Sequence, residues 1–431
     1  MKKLLILLIT LAIGVASYGQ YMNKWYGIKY DPTSSTPAVT RIAEDDDLTI
    51  HHHDNLPIQN LMKGCLLLDN GVVNYYLNAT DWTAKEAGGA SDLTGTDGQV
   101  MVEIPAHYEL FETVAGWNYA KFSLTYKAGY KYVPKIYISA YKAALNRTTL
   151  KLSSVINTTA AYYGADNLST YAGMPATSIS ITNFRTYARN RGANWSMTSY
   201  QAWKTEYWLF VIEYATRNCQ AAVGSPDGSG YQTGGLGNGL TTLANWAENG
   251  YRPVAPCGLS NSLGNFSGEV SFTTTVLTND EAVKIPRYRG IESPFGDIWE
   301  WMDGISVYHS VSPRASYSYI IDNPNYFSDG AVNLGKARAV LSLALTSNYV
   351  TTITFGSYGD PLPSAVGGSA TTYWCDYFYT PQNVGAAGWY APLVGGSAND
   401  GANAGFGYVG SFDGASNTYA NVGSRLCFLG S

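Results

Sequence analysis

Short stretches in which apolar and polar residues alternate recur along this chain, and they predict β-strands. Residues 65–77 contain two such stretches around an Asn-Gly pair, which is the pattern of a β-hairpin. Residues 100–105 and 121–126 are predicted as further strands, and residues 135–141 alternate as a half-buried strand does. Near the end, residues 421–428 place apolar side chains on one side, which indicates a buried closing strand.

Two stretches have helical periodicity instead. A first helix is predicted over residues 184–191, with Asn183 placed to cap its start and Gly192 its end. A second helix is predicted from about residue 199 to residue 218. Its large apolar residues fall on one face, so we expect a buried core helix and no cofactor site. That face comprises Trp203, Tyr207, Phe210, Val211 and Tyr214.

The first residues have the organisation of a secretory signal. Two lysines precede an apolar run over residues 4–15, and small residues at positions 17 and 19 fit a cut before Gln20. This predicts a signal peptide over residues 1–19 and a protein that is exported to the extracellular space or the cell surface. An uncleaved anchor is the alternative. No other stretch is long and apolar enough to span a bilayer, so no transmembrane span is expected after signal removal.

Composition narrows the classes of protein. Of the 431 residues, 45% are hydrophobic and 14% charged, with 35 Tyr and 45 Gly, so we expect a globular protein in which strands and long loops dominate. The net charge of −5 and the lack of a Lys/Arg cluster argue against a nucleic-acid partner. None of the five cysteines forms a Cys-x-x-Cys pair, so they are interpreted as buried small apolar residues, with at least one thiol unpaired.

Two polar runs were weighed as metal sites. At His51–His53, neighbouring side chains of an extended chain point to opposite faces, so at most two of the three imidazoles converge. The acidic run at residues 44–47 lacks the alternating ligand spacing of a calcium loop. Both runs are interpreted as solvated loops, and neither a metal nor another cofactor is predicted.

Residues 289–304 read RGIESPFGDIWEWMDG and concentrate charged groups among aromatic ones. Asp297, Glu300 and Asp303 could act as an acid/base pair with a helper, as paired carboxylates do in glycosidases. The favoured interpretation is structural: the tryptophans belong to the core, and the charges tie loops to backbone amides or to Arg289. The histidines in the second half and near residue 107 stand without a nucleophile motif, so no catalytic residue is predicted.

The C-terminal stretch, residues 393–427, sets single Ser, Asp, Phe, Tyr and Asn residues in a frame of small residues. It has too few large apolar residues for an ordinary core and too many aromatic ones for a linker. Tyr and Phe provide rigid contact area, while Ser, Gly and Asn provide adaptable hydrogen bonds, and this mixture is typical of a binding surface.

Several motifs, taken in order, resemble those of the variable proteins of diversity-generating retroelements, which have a C-type-lectin fold. They are MKGCLL at residues 62–67, WLFVIEY at 208–214, the stretch at 289–304, GGSANDGANAG at 395–405 and NVGSRL at 421–426. The resemblance implies an α+β protein. A small β-rich domain over residues 20–132 would precede a C-type-lectin-fold domain over residues 133–431, with two helices, short twisted sheets and long loops. Its variable region would be about residues 393–428.

In that family, mutation at adenines replaces Asn codons by others, and constant glycines hold the backbone. The resemblance therefore implies an adhesin or receptor-binding protein whose C-terminal face binds a protein or glycan on another cell or surface. An oligomer is compatible with it. Tyr373 and Trp374 were expected either to border the face or to lie in the core. The candidate ligand-binding residues are Ser397, Asn399, Asp400, Phe406, Tyr408, Ser411, Phe412, Asp413, Ser416, Asn417 and Tyr419, with the Phe and Tyr rings as anchors.

Two other functions stay open at this point. The same fold family includes formylglycine-generating enzymes, but Ala398 replaces the Trp usual after their Gly-Gly-Ser and no closely spaced cysteine pair matches their site. This favours binding over a formylglycine-generating activity, and a glycosidase-like activity of the carboxylates at residues 297–303 stays an alternative. A structural part of a phage tail or pilus tip is the other alternative, and the signal peptide argues against a virion component.

Overall fold

The computed structural model of the chain describes residues 23–44, 56–222, 246–278, 280, 282–331, 333–381 and 385–430. The predicted signal peptide, the His51–His53 run and most of the acidic run at 44–47 lie outside these residues.

Strands form most of the regular structure. In chain order they are β1 (Tyr26–Tyr30), β2 (Thr40–Ala43), β3 (Lys63–Leu67), β4 (Val73–Tyr76), β5 (Gln99–Ile104), β6 (His107–Val114), β7 (Trp117–Ser123), β8 (Lys131–Val133), β9 (Ile136–Ser139), β10 (Ala144–Asn146), β11 (Lys151–Ser153), β12 (Trp195–Met197), β13 (Gly268–Thr273), β14 (Ala282–Tyr288), β15 (Ile291–Glu292), β16 (Trp299–Trp301), β17 (Ile305–Val311), β18 (Arg314–Ile320), β19 (Ala339–Ser342), β20 (Asn348–Phe355), β21 (Asp360–Val366), β22 (Tyr377–Tyr379), β23 (Gly388–Gly395), β24 (Gly405–Asp413), β25 (Val422–Gly423) and β26 (Leu426–Leu429). The α-helices are α1 (Pro57–Leu61), α2 (Ile181–Arg189), α3 (Tyr200–Tyr214) and α4 (Cys219–Ala222).

The strands form five sheets in the described part of the chain. A five-stranded sheet has the order β2-β1-β7-β6-β8, and a six-stranded sheet has the order β12-β26-β9-β5-β3-β4. The largest sheet contains the path β19-β18-β17-β23-β24-β22-β20-β21, with β16 attached to β23 and β25 attached to β16. The two small sheets are the two-stranded β10-β11 and the three-stranded β13-β14-β15.

The six-stranded sheet joins the two ends of the chain. Its strands β3, β4 and β5 come from the first part, whereas β26 is the closing strand, in which Cys427 pairs with Ile138 and with Ser196. The hairpin predicted over residues 65–77 is confirmed as β3 and β4. The domain boundary predicted at residue 132 therefore runs between strands of one continuous sheet.

Both long helices form close to where periodicity placed them, but both caps predicted for the first are wrong, since α2 ends at Arg189 with Asn190 as its C-cap and not at Gly192. Helix α2 begins after Ser180, whose Oγ accepts from the Asn183 backbone N–H at 3.4 Å, so Asn183 lies inside the helix and does not cap it. Helix α3 begins after Ser199, whose Oγ accepts from the Ala202 N–H at 3.2 Å. Nearly every side chain of α3 is buried, which confirms that its aromatic face belongs to the core.

The expectation of an α+β C-type-lectin fold built on two helices is wrong. Strands account for 39% of the structure and helices for 15%, with four α-helices among the described residues. The reason lies in the long stretch after α4. Its Tyr, Thr, Val and Ser residues suit pleated, half-buried positions, and they form strands of the large sheet where long loops were expected.

A buried ion network links distant parts of the fold. Glu300 Oε1 on β16 lies 2.7 Å from Lys142 Nζ and 2.9 Å from Arg425 Nε, which immediately precedes β26. The Thr198 hydroxyl donates to Glu300 Oε2 at 3.1 Å. Burial opposes ionisation of Glu300, but Arg425 and Lys142 outweigh it and hold its pKa below the usual value. One carboxylate thus connects β16, the segment after β9 and the closing strand.

We predict that Glu300→Gln strongly destabilises the protein, because it leaves two cations buried without their anion. Losing one partner of a buried ion pair costs about 3–5 kcal/mol. Glu112→Gln is the matched control, since Glu112 pairs with Lys121 at 2.7 Å near the surface and its loss should cost less than about 1 kcal/mol. Urea unfolding of both variants measures the difference. Equal, small losses would show that the network does not stabilise the fold.

Candidate functional site

The C-terminal segment passes through the middle of the large sheet. Strand β24 pairs antiparallel with β23 and parallel with β22, so it has neighbours on both edges. A strand in that position is buried along most of its length, and only its last residues reach the surface. The segment therefore divides into a buried part and an exposed part.

Phe406 and Tyr408 belong to the buried part. Phe406 is 1% exposed, and its ring centroid lies 4.9 Å from that of Phe210 on α3 and 5.6 Å from that of Phe295. The Tyr408 ring lies 4.4 Å from Trp299 and is also buried. The outward orientation expected of these two rings is wrong, because α3 and the segment 289–304 cover this face of β24.

The candidate polar residues Ser397, Asp400 and Ser411 are directed inward. The Ser397 hydroxyl donates to Asp400 Oδ2 at 2.7 Å, and Tyr408 also hydrogen-bonds this carboxyl, whose pKa is raised by burial. Ser411 is fully buried, and its carbonyl oxygen lies 2.7 Å from His309 Nε2. These groups fix the turn and the strand and leave little polar surface for a ligand.

The exposed part begins at Phe412, which is 45% exposed. Its ring lies 5.8 Å from that of Tyr379, an exposed residue of β22 that sequence analysis did not select. The signal was present in the alternation of residues 377–379, where Tyr379 follows the buried Phe378 and so faces the opposite way. Trp374, which lies upstream of β22, is buried and belongs to the core, so it does not border the exposed face.

The turn after β24 carries the remaining candidates. Asn417 Nδ2 donates to Asp413 Oδ1 at 3.2 Å and to the Tyr419 hydroxyl at 2.8 Å. The Tyr419 carbonyl accepts from the Ser178 backbone N–H at 2.9 Å, which ties the turn to the segment before α2. We define the outer patch as Tyr379, Phe412, Asp413, Ser416, Asn417 and Tyr419, which lie on β22, at the end of β24 and in the turn that follows it. Asn399 is exposed as well but lies in a separate turn.

The three candidate acid/base carboxylates do not form one site. Asp303 receives two hydrogen bonds from Arg185, at 2.8 and 2.9 Å, while Glu300 is neutralised by the network described above. Asp297 is buried, and burial raises its pKa to about 7. Arg289 pairs with Glu213 on α3, at 2.7 Å, and not with these carboxylates as sequence analysis suggested.

Neither the cysteines nor the other metal-ligating side chains of the described residues form a further candidate site. All five cysteines are buried, as predicted, and all five are free. Within the described residues, no group of three His, Cys, Asp or Glu side chains is placed to hold a metal ion.

None of the helices in the described part of the chain combines the length and apolar content that a bilayer crossing requires.

A small cavity of about 20 Å³ lies beneath the segment, between α3 and the residues Val394, Phe406 and Arg425. This volume is enough for one water molecule. Glu206 of α3 lines it, and the buried Glu206 Oε1 has no hydrogen-bond partner within the protein. Burial raises the pKa of Glu206 to about 8, so its carboxyl is largely protonated at neutral pH.

Comparison with known proteins identifies no family. No family model and no curated protein matches this chain. Among solved structures it is similar to PvdO from Pseudomonas aeruginosa, at 11% identity and a TM-score of 0.32, over 79% of this chain and 100% of that chain. A TM-score this low does not establish a shared fold. The comparison therefore assigns no function to the candidate site.

We predict that Glu206→Gln stabilises the protein increasingly as the pH rises from about 5 to about 8. A carboxyl whose pKa is raised in the folded state favours folding at low pH, and this contribution is lost as the unfolded chain ionises. An amide avoids that loss, so the difference in Tm between variant and parent should grow and then level off once folded Glu206 ionises as well. Thermal unfolding across this pH range measures it.

The control is Glu86→Gln, because the Glu86 side chain is exposed. Its Tm difference from the parent should stay nearly constant with pH. A Glu206→Gln difference that is also independent of pH would contradict the assignment of a buried, protonated carboxyl.

Proposed function

We propose that the protein is exported and binds a protein or glycan partner on another cell or surface through the outer patch, without catalysis. The observation that carries this proposal is the contrast along a single segment. Its first part is fixed in the core by Phe406 and Tyr408, whereas the last part presents Phe412 and Tyr419 to solvent. Exposed aromatic rings on a stiff support lose little conformational entropy on binding.

The composition of the outer patch fits recognition. Two exposed tyrosines and a phenylalanine provide anchors of the kind that dominate binding energy, and the Asp, Ser and Asn side chains beside them provide adaptable polar contacts. Because the patch lies at the end of β24 and in the turn that follows, changes there do not disturb core packing. A surface that tolerates substitution is what the proposed diversification of the segment requires.

We predict that replacing Tyr379 and Phe412 together by Ala strongly weakens cell binding. Labelled tetramers of the mature chain would be tested by flow cytometry against a panel of intact bacterial and epithelial cells. Staining of at least one cell type should fall about tenfold or more, because each aromatic anchor typically contributes 2 kcal/mol or more. The matched control is Phe266→Ala, since Phe266 is 49% exposed but lies outside the patch.

Three outcomes would count against the proposed function. They are no staining of any cell type by the parent protein, staining that survives the double replacement, and an equal loss in Phe266→Ala. Preserved Tm values in all variants separate lost contacts from lost folding.

We predict that natural isolates differ mainly at the exposed positions of the segment. Sequencing codons 393–428 from several isolates should show changes at Asn399, Phe412, Ser416, Asn417 and Tyr419, where substitution leaves the core intact. The buried candidates should stay constant or change only to residues of similar size. Polar replacements at Phe406 or Tyr408, or an even spread of changes, would contradict diversification of the outer patch.

A further inference from the structure

A second candidate site lies away from the outer patch, in a cleft of about 480 Å³. Its walls are the edge strand β8, the first turn of α3, the loop around Asn323–Asn325 that follows β18, and the chain end at Leu429. Small-molecule sites commonly measure about 300–1,000 Å³, so the cleft is large enough for a ligand. It shares no residue with the outer patch.

Four neutral amides and four charged side chains make up most of the polar lining of the cleft. The amides are Asn194 before β12, Gln201 on α3, and Asn323 and Asn325 in the loop after β18. Each amide side chain offers both donors and an acceptor, which matches a hydroxyl group that itself donates and accepts. Such a lining suits a ligand with many hydroxyl groups and no net charge.

The charged groups that line the cleft have partners within the protein, and Asp322 pairs with Arg338 at 2.8 Å. Lys204 Nζ donates to Glu109 Oε2 at 2.9 Å and to the Tyr358 carbonyl at 2.9 Å. Lys131 Nζ hydrogen-bonds Ser357 and lies over the Tyr358 ring. Because both cations have partners, the cleft offers no unpaired positive charge to attract an anionic ligand.

Glu109 is the second carboxylate of the lining. It is buried, and its Oε1 has no hydrogen bond, although His107 Nε2 lies 3.6 Å away. Burial raises the pKa of Glu109, but Lys204 and His107 outweigh this effect and hold it at about 2. The carboxylate is therefore ionised and its charge is balanced by Lys204, while Oε1 itself is shielded from solvent.

An exposed aromatic ring stands at the rim. Tyr132 on β8 is 59% exposed, and its ring contacts Tyr108 at 5.4 Å. Pro134, after β8, and Pro324, in the loop after β18, add apolar surface to the lining. A pyranose ring has an apolar C–H face and a rim of hydroxyl groups, so it can stack on Tyr132 while its hydroxyls reach the amides.

We propose that this cleft binds a neutral oligosaccharide, stacked on Tyr132 and hydrogen-bonded by the amide side chains. This inference does not depend on the proposed function of the outer patch. The protein would then bind an oligosaccharide in the cleft and its cellular partner at the outer patch.

The test is calorimetric titration of the mature chain with cellotriose, maltotriose, xylotriose and mannotriose, each up to about 10 mM. We expect at least one to bind with a Kd of about 1 mM or lower. Tyr132→Ala should weaken this binding at least tenfold, and Tyr132→Phe should retain it, because stacking needs the ring and not the hydroxyl. Asn325→Ala, in the loop after β18, should also weaken it.

The matched control is Tyr126→Ala. Tyr126 is 69% exposed and contacts the same Tyr108 ring, but it does not line the cleft. The Tyr379→Ala, Phe412→Ala double variant is a second control, and both should bind the sugar as the parent does. The proposal is overturned if no trisaccharide binds, if Tyr132→Ala binds as the parent does, if Tyr126→Ala loses binding equally, or if galacturonic acid trimer binds more tightly than every neutral sugar.

Discussion

The fold depends on the buried contact between one anion and two cations, Glu300 with Lys142 and Arg425. Each charge is costly to remove from water, and the cost is offset only when all three meet with their remaining hydrogen bonds made. Arg425 also donates to the backbone carbonyl of Glu292 at 2.7 Å. The network can therefore form only when the closing strand has joined the sheet that begins near residue 63, so it couples the end of the chain to its beginning.

This constraint explains why so little of the C-terminal segment is free to contact a partner. Its beginning belongs to β23 and its end to β26, and the strand between them crosses the middle of the large sheet. Glycine is required at two points of β24, because a Cβ at Gly405 or Gly407 would overlap the Asp376 carboxylate. The glycine frame seen in the sequence thus reflects close packing, and only the end of the strand and the next turn reach solvent.

Local features could be predicted from the sequence, whereas the arrangement of strands could not. The hairpin at residues 65–77 and the buried face of α3 follow from turn chemistry and periodicity within a few residues. The burial of Phe406 depends on which strands flank β24 and on contact with Phe210, almost 200 residues earlier, and no local pattern records this. The amide-lined cleft escaped prediction for the same reason, since Tyr132 and Asn325 meet only through tertiary structure.

The outer patch and the cleft both lie at the perimeter of the sheets, where the structure differs physically from the core. In the core, the ionised groups around Glu300 and Glu109 already have partners, so a substitution there exposes an unpaired charge to a low-dielectric interior. At the perimeter, Phe412 and Tyr132 stand at the ends or edges of strands, where the backbone is fixed by its sheet but the ring faces water. A rigid backbone with a solvent-facing ring is the arrangement that lets contact residues change without cost to the fold. Recognition in this protein is therefore expected where strands end, and not within the carboxylate-rich segment 289–304.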